Sequence, residues 1–174
     1  WSGTSQFSIR ENMDSEWQIK VLKQDYSQFE IIFKNKSAGI IDWSLMGAHN
    51  ASNALAAIAA AADIGIKTGL AIEALNRFIN VKRRMEVRGK INDVTVYDDF
   101  AHHPTAISTT LEGLRKRCGD KKIIAILEPR SNTMKMGVHK KTLLNSLQLA
   151  DSICIYQPED NDWNVSELEN THSK

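Results

Sequence analysis

The sequence predicts an α/β fold in two parts, antiparallel strands with helices first and a doubly wound set of strands and helices second. Three observations carry this. Residues 15 to 45 alternate apolar and polar side chains with a period of two, residues 50 to 80 switch to helical spacing, and the chain beyond Met85 runs strand, helix, strand, helix, strand. With 174 residues, 42% of them hydrophobic and 25% charged, the composition is that of one ordinary globular domain or two small ones.

Each element has its own signal. Trp17, Ile19 and Val21, then Phe29, Ile31 and Phe33, then Ile41, Trp43 and Leu45 recur at alternate positions, with polar Gln18, Lys20, Glu30 and Asp42 between them. This predicts three short strands with one face to solvent. The breaks at Gln24-Asp25 and Asn35-Lys36 are of hairpin length, so the strands are expected to form an antiparallel meander. From Asn50 to Ala62 the chain is dense in alanine, the strongest helix former, and a closely packed helix is expected to run until Gly65. Thr68 opens a second helix with Ile72, Leu75, Phe78 and Ile79 as its apolar stripe.

Met85 to Ile91 and Val94 to Tyr97 read as strands on either side of Asn92-Asp93, a turn pair that tolerates positive φ. A helix begins near Thr105, just after Pro104, with Ile107, Leu111 and Leu114 on one face and Arg115-Lys116-Arg117 at its C-terminal end. Ile123 to Leu127 and Ser152 to Tyr156 are apolar runs of the kind that parallel strands covered on both faces carry, and Val138 to Leu149 is a helix bearing Leu143, Leu144 and Leu147. In such a sheet, ligands bind beyond the carboxyl ends of the strands.

The composition excludes a disordered tail, a collagen and a disulfide scaffold. A net charge of +1 supplies no overall field to hold nucleic acid or an anionic membrane, so neither is expected as a partner. Cys118 and Cys154 form no CxxC pair, which points to two core thiols in a reduced, cytoplasmic setting. The apolar run from Ala54 to Ala62 falls far short of the ~20 residues that span a bilayer. The chain begins at Trp1 rather than Met, as a piece of a longer polypeptide would. Charge is uneven along it: residues 81–122 hold 10 Lys and Arg against 6 Asp and Glu. Lys82, Arg83, Arg84, Arg88 and Lys90 make this segment either a solvated basic face or a phosphate clamp.

Three polar clusters could carry chemistry. In Gly47-Ala48-His49-Asn50-Ala51-Ser52-Asn53, the two asparagines lie three apart and share a helix face. An Asn amide can pair with the N6/N7 edge of an adenine, and the plainer alternative is that Asn50 caps the helix. The second cluster, Tyr97-Asp98-Asp99-Phe100-Ala101-His102-His103-Pro104, lies between a strand and a helix, where a carboxylate can accept from ribose hydroxyls. Metal ligation is the weaker reading, because adjacent His-His side chains diverge on an extended segment and no third ligand follows at a usual spacing. The third is Glu128-Pro129-Arg130-Ser131-Asn132-Thr133-Met134-Lys135-Met136-Gly137, whose Arg130 and Lys135 suit carboxylates and whose plainer reading is a long connection. No G-x-x-x-x-G-K-[ST] and no G-x-G-x-x-G occurs in the sequence.

In order and spacing, GAHNASNALAA, FINVKRRMEVRG, VYDDFAHHPTAI, ILEPRSNTMKMG and LADSICIY together resemble the ATP-dependent Mur ligases of bacterial cell-wall synthesis. The EPRSNTMKMG loop most resembles the branch that joins UDP-N-acetylmuramate to the tripeptide L-alanyl-γ-D-glutamyl-meso-diaminopimelate in peptidoglycan recycling. It speaks against the L-alanine-adding ligases and the folylpolyglutamate synthetases, which stay as alternatives, as does a non-catalytic nucleotide- or peptide-binding module.

The resemblance implies that residues 1–82 are the C-terminal part of the family's central ATP-binding domain. It makes residues 83–174 an incomplete, Rossmann-like C-terminal domain. It implies ATP and magnesium as cofactors, with the magnesium ligands outside this chain and the rest of the ligase polypeptide as a partner. By similarity Asn50 and Asn53 contact the adenine, Arg84 the nucleotide phosphates and Asp99 the ribose. His102 belongs to the same nucleotide-binding turn, in which Phe100 replaces the family's more usual Tyr. Arg130, Ser131 and Asn132 stand where the amine substrate approaches, and no catalytic residue is assigned. Because the family's phosphate-binding loop has no counterpart in the sequence, the 174 residues alone are expected neither to hydrolyse ATP nor to ligate. Peptide ligation by the isolated chain, followed by product chromatography, would overturn this.

Overall fold

A computed structural model of the chain describes residues 6–9, 15–157, 159 and 162–169, so Trp1 and parts of the polar C-terminal stretch lie outside the described residues. Two compact units divide the chain, Trp1–Val81 and Lys82–Lys174.

The first unit is a sheet covered by two helices. Strands β1 (Phe7–Ser8), β2 (Trp17–Val21), β3 (Gln28–Phe33) and β4 (Lys36–Asp42) lie in that order; β1 runs parallel to β2 and the rest are antiparallel. The pairings Trp17↔Phe33, Ile19↔Ile31 and Phe29↔Ile41 put one apolar set on one face. Helices α1 (Ala48–Asp63) and α2 (Thr68–Asn76) bury that face, with Ala51, Ala54, Leu55, Ile58 and Ala59 of α1 and Ile72 of α2 meeting Trp17, Ile19, Phe29, Ile31 and Ile41. Alanine side chains let α1 lie close to the sheet, and each buried Ile, Leu or Phe contributes about 1.5–3 kcal/mol. Gly39 permits a similar approach by α2. Its φ is +143°, and a Cβ there would lie 2.9 Å from Ile72 Cδ1.

Two expectations for this unit need correction. The third strand is Lys36–Asp42, not the stretch through Trp43 and Leu45. Lys34 and Asn35 both have positive φ, 48° and 62°, which closes a two-residue turn, pairs Phe33 with Lys36 and starts the strand at once. The strand ends at Asp42, although the Trp43 N–H still donates to the Ser27 carbonyl at 3.0 Å and its indole Nε1–H to the Tyr26 carbonyl at 3.1 Å. Similarly, α2 ends at Asn76, and Phe78 and Ile79 fall beyond it, exposed. The Asn76 side chain accepts from the Asp42 N–H and donates to the Ile40 carbonyl, bonding the end of β4 as a further strand would.

The second unit opens with a hairpin, β5 (Glu86–Ile91) and β6 (Val94–Asp98), turned at Asn92-Asp93 with φ of 47° and 64°. Helix α3 (Pro104–Cys118) follows, then β7 (Ile124–Leu127), α4 (Asn132–Lys135), α5 (Lys140–Ser146), β8 (Ser152–Ile155) and α6 (Ser166–Glu169). Strands β7 and β8 pair in parallel from Ile124↔Ser152 to Leu127↔Ile155. Among the described strands β6 bonds to β5 and not to β7, so the parallel sheet is two-stranded rather than continuous through β6.

The residues of β7 and β8 are half-buried or exposed. Ile107, Leu111, Leu114, Ile123, Leu143 and Leu147 are buried, while Ile126 is 80% exposed. Among the described residues these apolar runs are not covered on both sides, and Cys154 is exposed and Cys118 half-buried rather than both being core thiols. The helix expected over Val138–Leu149 is shorter, and the preceding polar loop contains α4. Among the described residues no helix is long and apolar enough to cross a membrane.

One ion pair closes the strand ends. Arg115 donates through Nη1 to the Gly119 and Lys121 carbonyls and through Nη2 to the Leu149 carbonyl and Asp151 Oδ2. Asp151 Oδ2 also accepts the Ile123 N–H at 2.6 Å. That main-chain bond first, and Arg115 second, hold the Asp151 carboxyl below the usual carboxylate range. A lowered folded value means stability that is present above the unfolded value of about 4 and lost as pH falls through the folded one. Asp151→Asn is therefore expected to unfold at a lower denaturant concentration at neutral pH, with the difference from the parent chain shrinking in acid. Urea titrations at several pH values check this.

Candidate functional site

The first cluster lies at the start of α1. Gly47 occupies the N-cap with φ of 92°, and its N–H donates to the Asp25 carbonyl at 2.8 Å. Asp25 is buried and its Oδ1 accepts from both the backbone N–H and the hydroxyl of Ser27, which fixes the loop below the helix. Asn50 is thus inside the first turn and is not the cap. Its Nδ2 donates to the Met46 carbonyl at 2.7 Å, leaving one amide hydrogen and Oδ1, the donor and acceptor that an adenine edge requires. Asn53 is exposed one turn later on the same side of α1.

The second cluster is built on a strained turn. Arg83 and Met85 have φ of 59° and 50°, a conformation that costs about 1–3 kcal/mol per residue for side chains such as these. Four main-chain bonds hold it. The Arg83 N–H donates to Glu86 Oε2 (2.9 Å), the Met85 N–H to Asp99 Oδ2 (2.8 Å), the Ala101 N–H to Asp99 Oδ1 (2.8 Å) and the Phe100 N–H to the Arg83 carbonyl (2.8 Å). Asp99 therefore bridges the turn that carries Arg84 and the turn that leads to α3. The Phe100 ring lies 5.2 Å from the Arg83 guanidinium carbon and 6.0 Å from that of Arg84, so an aromatic face steers both cations.

Not all of the basic segment is available to a phosphate. Arg88 donates to Asp98 Oδ2 through Nε and Nη2, at 3.2 and 2.7 Å, and Arg83 Nε lies 3.7 Å from Asp98 Oδ1. The hydrogen bond from Arg88 holds the Asp98 carboxyl below its ordinary range, and Asp98 in turn raises Arg88. His102 Nδ1 is 2.9 Å from the Phe100 carbonyl. His103 is the N-cap of α3, its Nδ1 accepting from the Thr105 N–H at 3.3 Å. Its ring meets that of His139, just before α5, at 4.5 Å and 71°.

The third cluster follows β7. Pro129 is buried, Arg130 is exposed with Nε 3.3 Å from Glu128 Oε1, and Ser131 is the N-cap of α4, its Oγ accepting from the Met134 N–H. Asn132 is exposed as the first residue of that helix. In the second unit the structure thus joins Arg84, Asp99 and His102 around Phe100, while Arg130, Ser131 and Asn132 form a separate loop. Sequence reasoning did not single out His139 or Trp163, which packs on this loop; a lone Trp in a polar stretch was the available signal for the latter. Among the described residues no group of three or more His, Cys, Asp or Glu side chains is placed to hold a metal ion.

An Asn-bearing helix mouth, a strained arginine turn braced by Asp99 and a polar loop after a parallel strand are what a nucleotide-using ligase could employ. The description "Mur ligase, glutamate ligase domain" matches residues 83–171, and "Mur ligase middle domain" matches residues 2–61. The chain belongs to the Mur ligase family. It is 51% identical over 153 residues to the UDP-N-acetylmuramate–L-alanyl-γ-D-glutamyl-meso-2,6-diaminoheptandioate ligase of Escherichia coli (strain K12), covering 87% of this chain and 34% of that protein. The ligase of the same name from Haemophilus influenzae (strain ATCC 51907 / DSM 11121 / KW20 / Rd) is 46% identical over 158 residues, 90% of this chain and 35% of its own. A murein peptide ligase from Psychrobacter arcticus 273-4 has a similar structure, with a TM-score of 0.64 and 45% identity over 96% of this chain and 35% of that one. The chain thus spans about a third of the length of these relatives.

The bracing role of Asp99 is open to test. Asp99→Ala removes the acceptors of the Met85 and Ala101 N–H groups, and hydrogen exchange at both amides is expected to rise by about 5- to 100-fold, corresponding to roughly 1–3 kcal/mol. Amide exchange measured by NMR, with the α1 amides as internal reference, checks it.

Proposed function

We propose that this chain is part of an ATP-dependent amide ligase that joins UDP-N-acetylmuramate to the tripeptide L-alanyl-γ-D-glutamyl-meso-diaminopimelate in the cytoplasm. One observation carries the reading: 51% and 46% identity, over 87% and 90% of the chain, to ligases whose names state that pair of substrates. Residues 1–82 then end the central ATP-binding domain and residues 83–174 begin the C-terminal domain.

In this reading Asn50 and Asn53 hold the adenine, Arg84 the phosphates and Asp99 the ribose, beside the turn of His102. Asp99 keeps lone pairs for ribose hydroxyls because each oxygen accepts one main-chain N–H, Oδ2 from Met85 and Oδ1 from Ala101. The sugar's lactoyl carboxylate attacks the γ-phosphorus of ATP and ADP leaves. The tripeptide amine, guided by Arg130, Ser131 and Asn132, attacks the acyl carbon, loses a proton and expels phosphate. Magnesium, when bound, neutralises charge on the phosphates. Arg84, set by its strained turn and by Phe100, does the same from the protein without reorganising during the reaction.

The test offers the complete ligase polypeptide UDP-N-acetylmuramate and ATP with the tripeptide, L-alanine or a folate in turn. Turnover is expected with the tripeptide, and turnover with L-alanine alone would overturn the assignment. Asn50→Ala and Asn53→Ala are each expected to raise the ATP KM, by an amount equivalent to about 1–3 kcal/mol if a bidentate contact is lost. Unchanged ATP KM in both variants would leave Asn50 as a helix-mouth tie to Met46 and nothing more.

A further inference from the structure

Helix α4 has four residues, Asn132–Lys135, too few to be stable by itself. The Met134 carbonyl accepts from the Gly137 N–H at 3.1 Å, and two further donors to the last carbonyls come from 27 and 29 residues along the chain. The Asp162 N–H donates to the Lys135 carbonyl at 3.0 Å, and the Trp163 indole Nε1–H donates to the Met134 carbonyl at 2.7 Å. Trp163 is 8% exposed, and its ring lies against Gly137, where φ is +71° and a Cβ would come within 2.9 Å of the indole Cδ1. The loop from Glu128 to Gly137 is thus closed at its far end by one side chain.

That side chain is itself held. Gln157 Nε2 donates to the Trp163 carbonyl and Gln157 Oε1 accepts from the Val165 N–H. Leu168 is buried, and Glu167 pairs with Lys140, whose Nζ lies 5.9 Å from the Trp163 ring centre. The acidic, polar stretch after β8 is therefore a clasp with two apolar anchors.

We propose that Trp163 is a positioning residue for the amine substrate: it sets the conformation of the loop bearing Arg130, Ser131 and Asn132, and through it the affinity for the tripeptide. This rests on the reading of that loop as the amine site. Trp163→Phe keeps a ring in the clasp and deletes the N–H donor, while Gln157→Ala loosens the Trp163 main chain without touching the ring. In the 174-residue chain both variants are expected to speed amide exchange at Met134 to Gly137. In the complete ligase both are expected to raise the tripeptide KM about 3- to 10-fold, with kcat and the ATP KM within about twofold of the parent, as the loss of one hydrogen bond would do. A merely structural role would change the ATP KM or kcat as well.

Unchanged exchange at Met134 to Gly137 in both variants overturns the proposal. If Trp163→Phe does not fold, Gln157→Ala alone decides. Faster exchange with an unaltered tripeptide KM also overturns it, and Arg130→Ala in the same ligase then locates the error. An unaltered tripeptide KM in Arg130→Ala as well means that the loop is not the amine site. A raised one means that only the role of Trp163 was wrong.

Discussion

Loop main chain must find hydrogen-bond acceptors, and in this protein aspartate side chains supply them at three corners between elements. Asp99 joins the Met85 and Ala101 N–H groups, Asp25 the Ser27 N–H, and Asp151 the Ile123 N–H. Asp99 and Asp25 sit at corners that carry or brace a candidate residue, and Asp151 ties the starts of β7 and β8. Because Asp99 accepts from two separate segments, the strained φ values of Arg83 and Met85 persist instead of relaxing, and Arg84 between them is presented from a fixed backbone. Asp25 performs the corresponding service in the first unit, where its own carbonyl receives the Gly47 N–H and so fixes where α1 begins.

Packing decides how rigid these corners can be. In the first unit the alanine face of α1 and the alternating face of β2, β3 and β4 form one closed core, which makes the helix mouth with Asn50 a firm platform. In the second unit, α3 and α5 pack on each other, and the polar loop after β7 depends on the Trp163 clasp. The basic segment is likewise subdivided by geometry. Arg88 is committed to Asp98, Arg83 is shared between Asp98 and Phe100, and the charge felt by an incoming anion is smaller than the count of cations.

Period and turn chemistry made much of this legible. The alternation at Trp17, Ile19, Phe29 and Ile31 marked the core face of the meander, because a strand's side chains alternate whatever it packs against. Asn92-Asp93 marked a hairpin because both residues accept positive φ. Alanine density marked α1. The strand expected at Trp43 failed because the tight turn at Lys34-Asn35 fixed the pairing register earlier, and an alternating pattern does not encode where pairing starts. The buried role expected of Ile126 and Cys154 failed because an apolar run reports propensity for a strand but not what covers it.

By itself the sequence determined the class of fold, the kinds of elements and the motifs that resemble the Mur ligases, since these rest on local periodicity and on residue types at short spacing. Tertiary structure alone decided that β6 pairs with β5 rather than with β7, that Asn50 lies inside the helix and ties back to Met46, that Asp99 bridges two turns, and that Trp163 closes a loop 29 residues before it. The reason is common to all four. Each depends on which distant donor meets which acceptor, and that is settled only when the apolar faces have packed and brought the segments within hydrogen-bond distance.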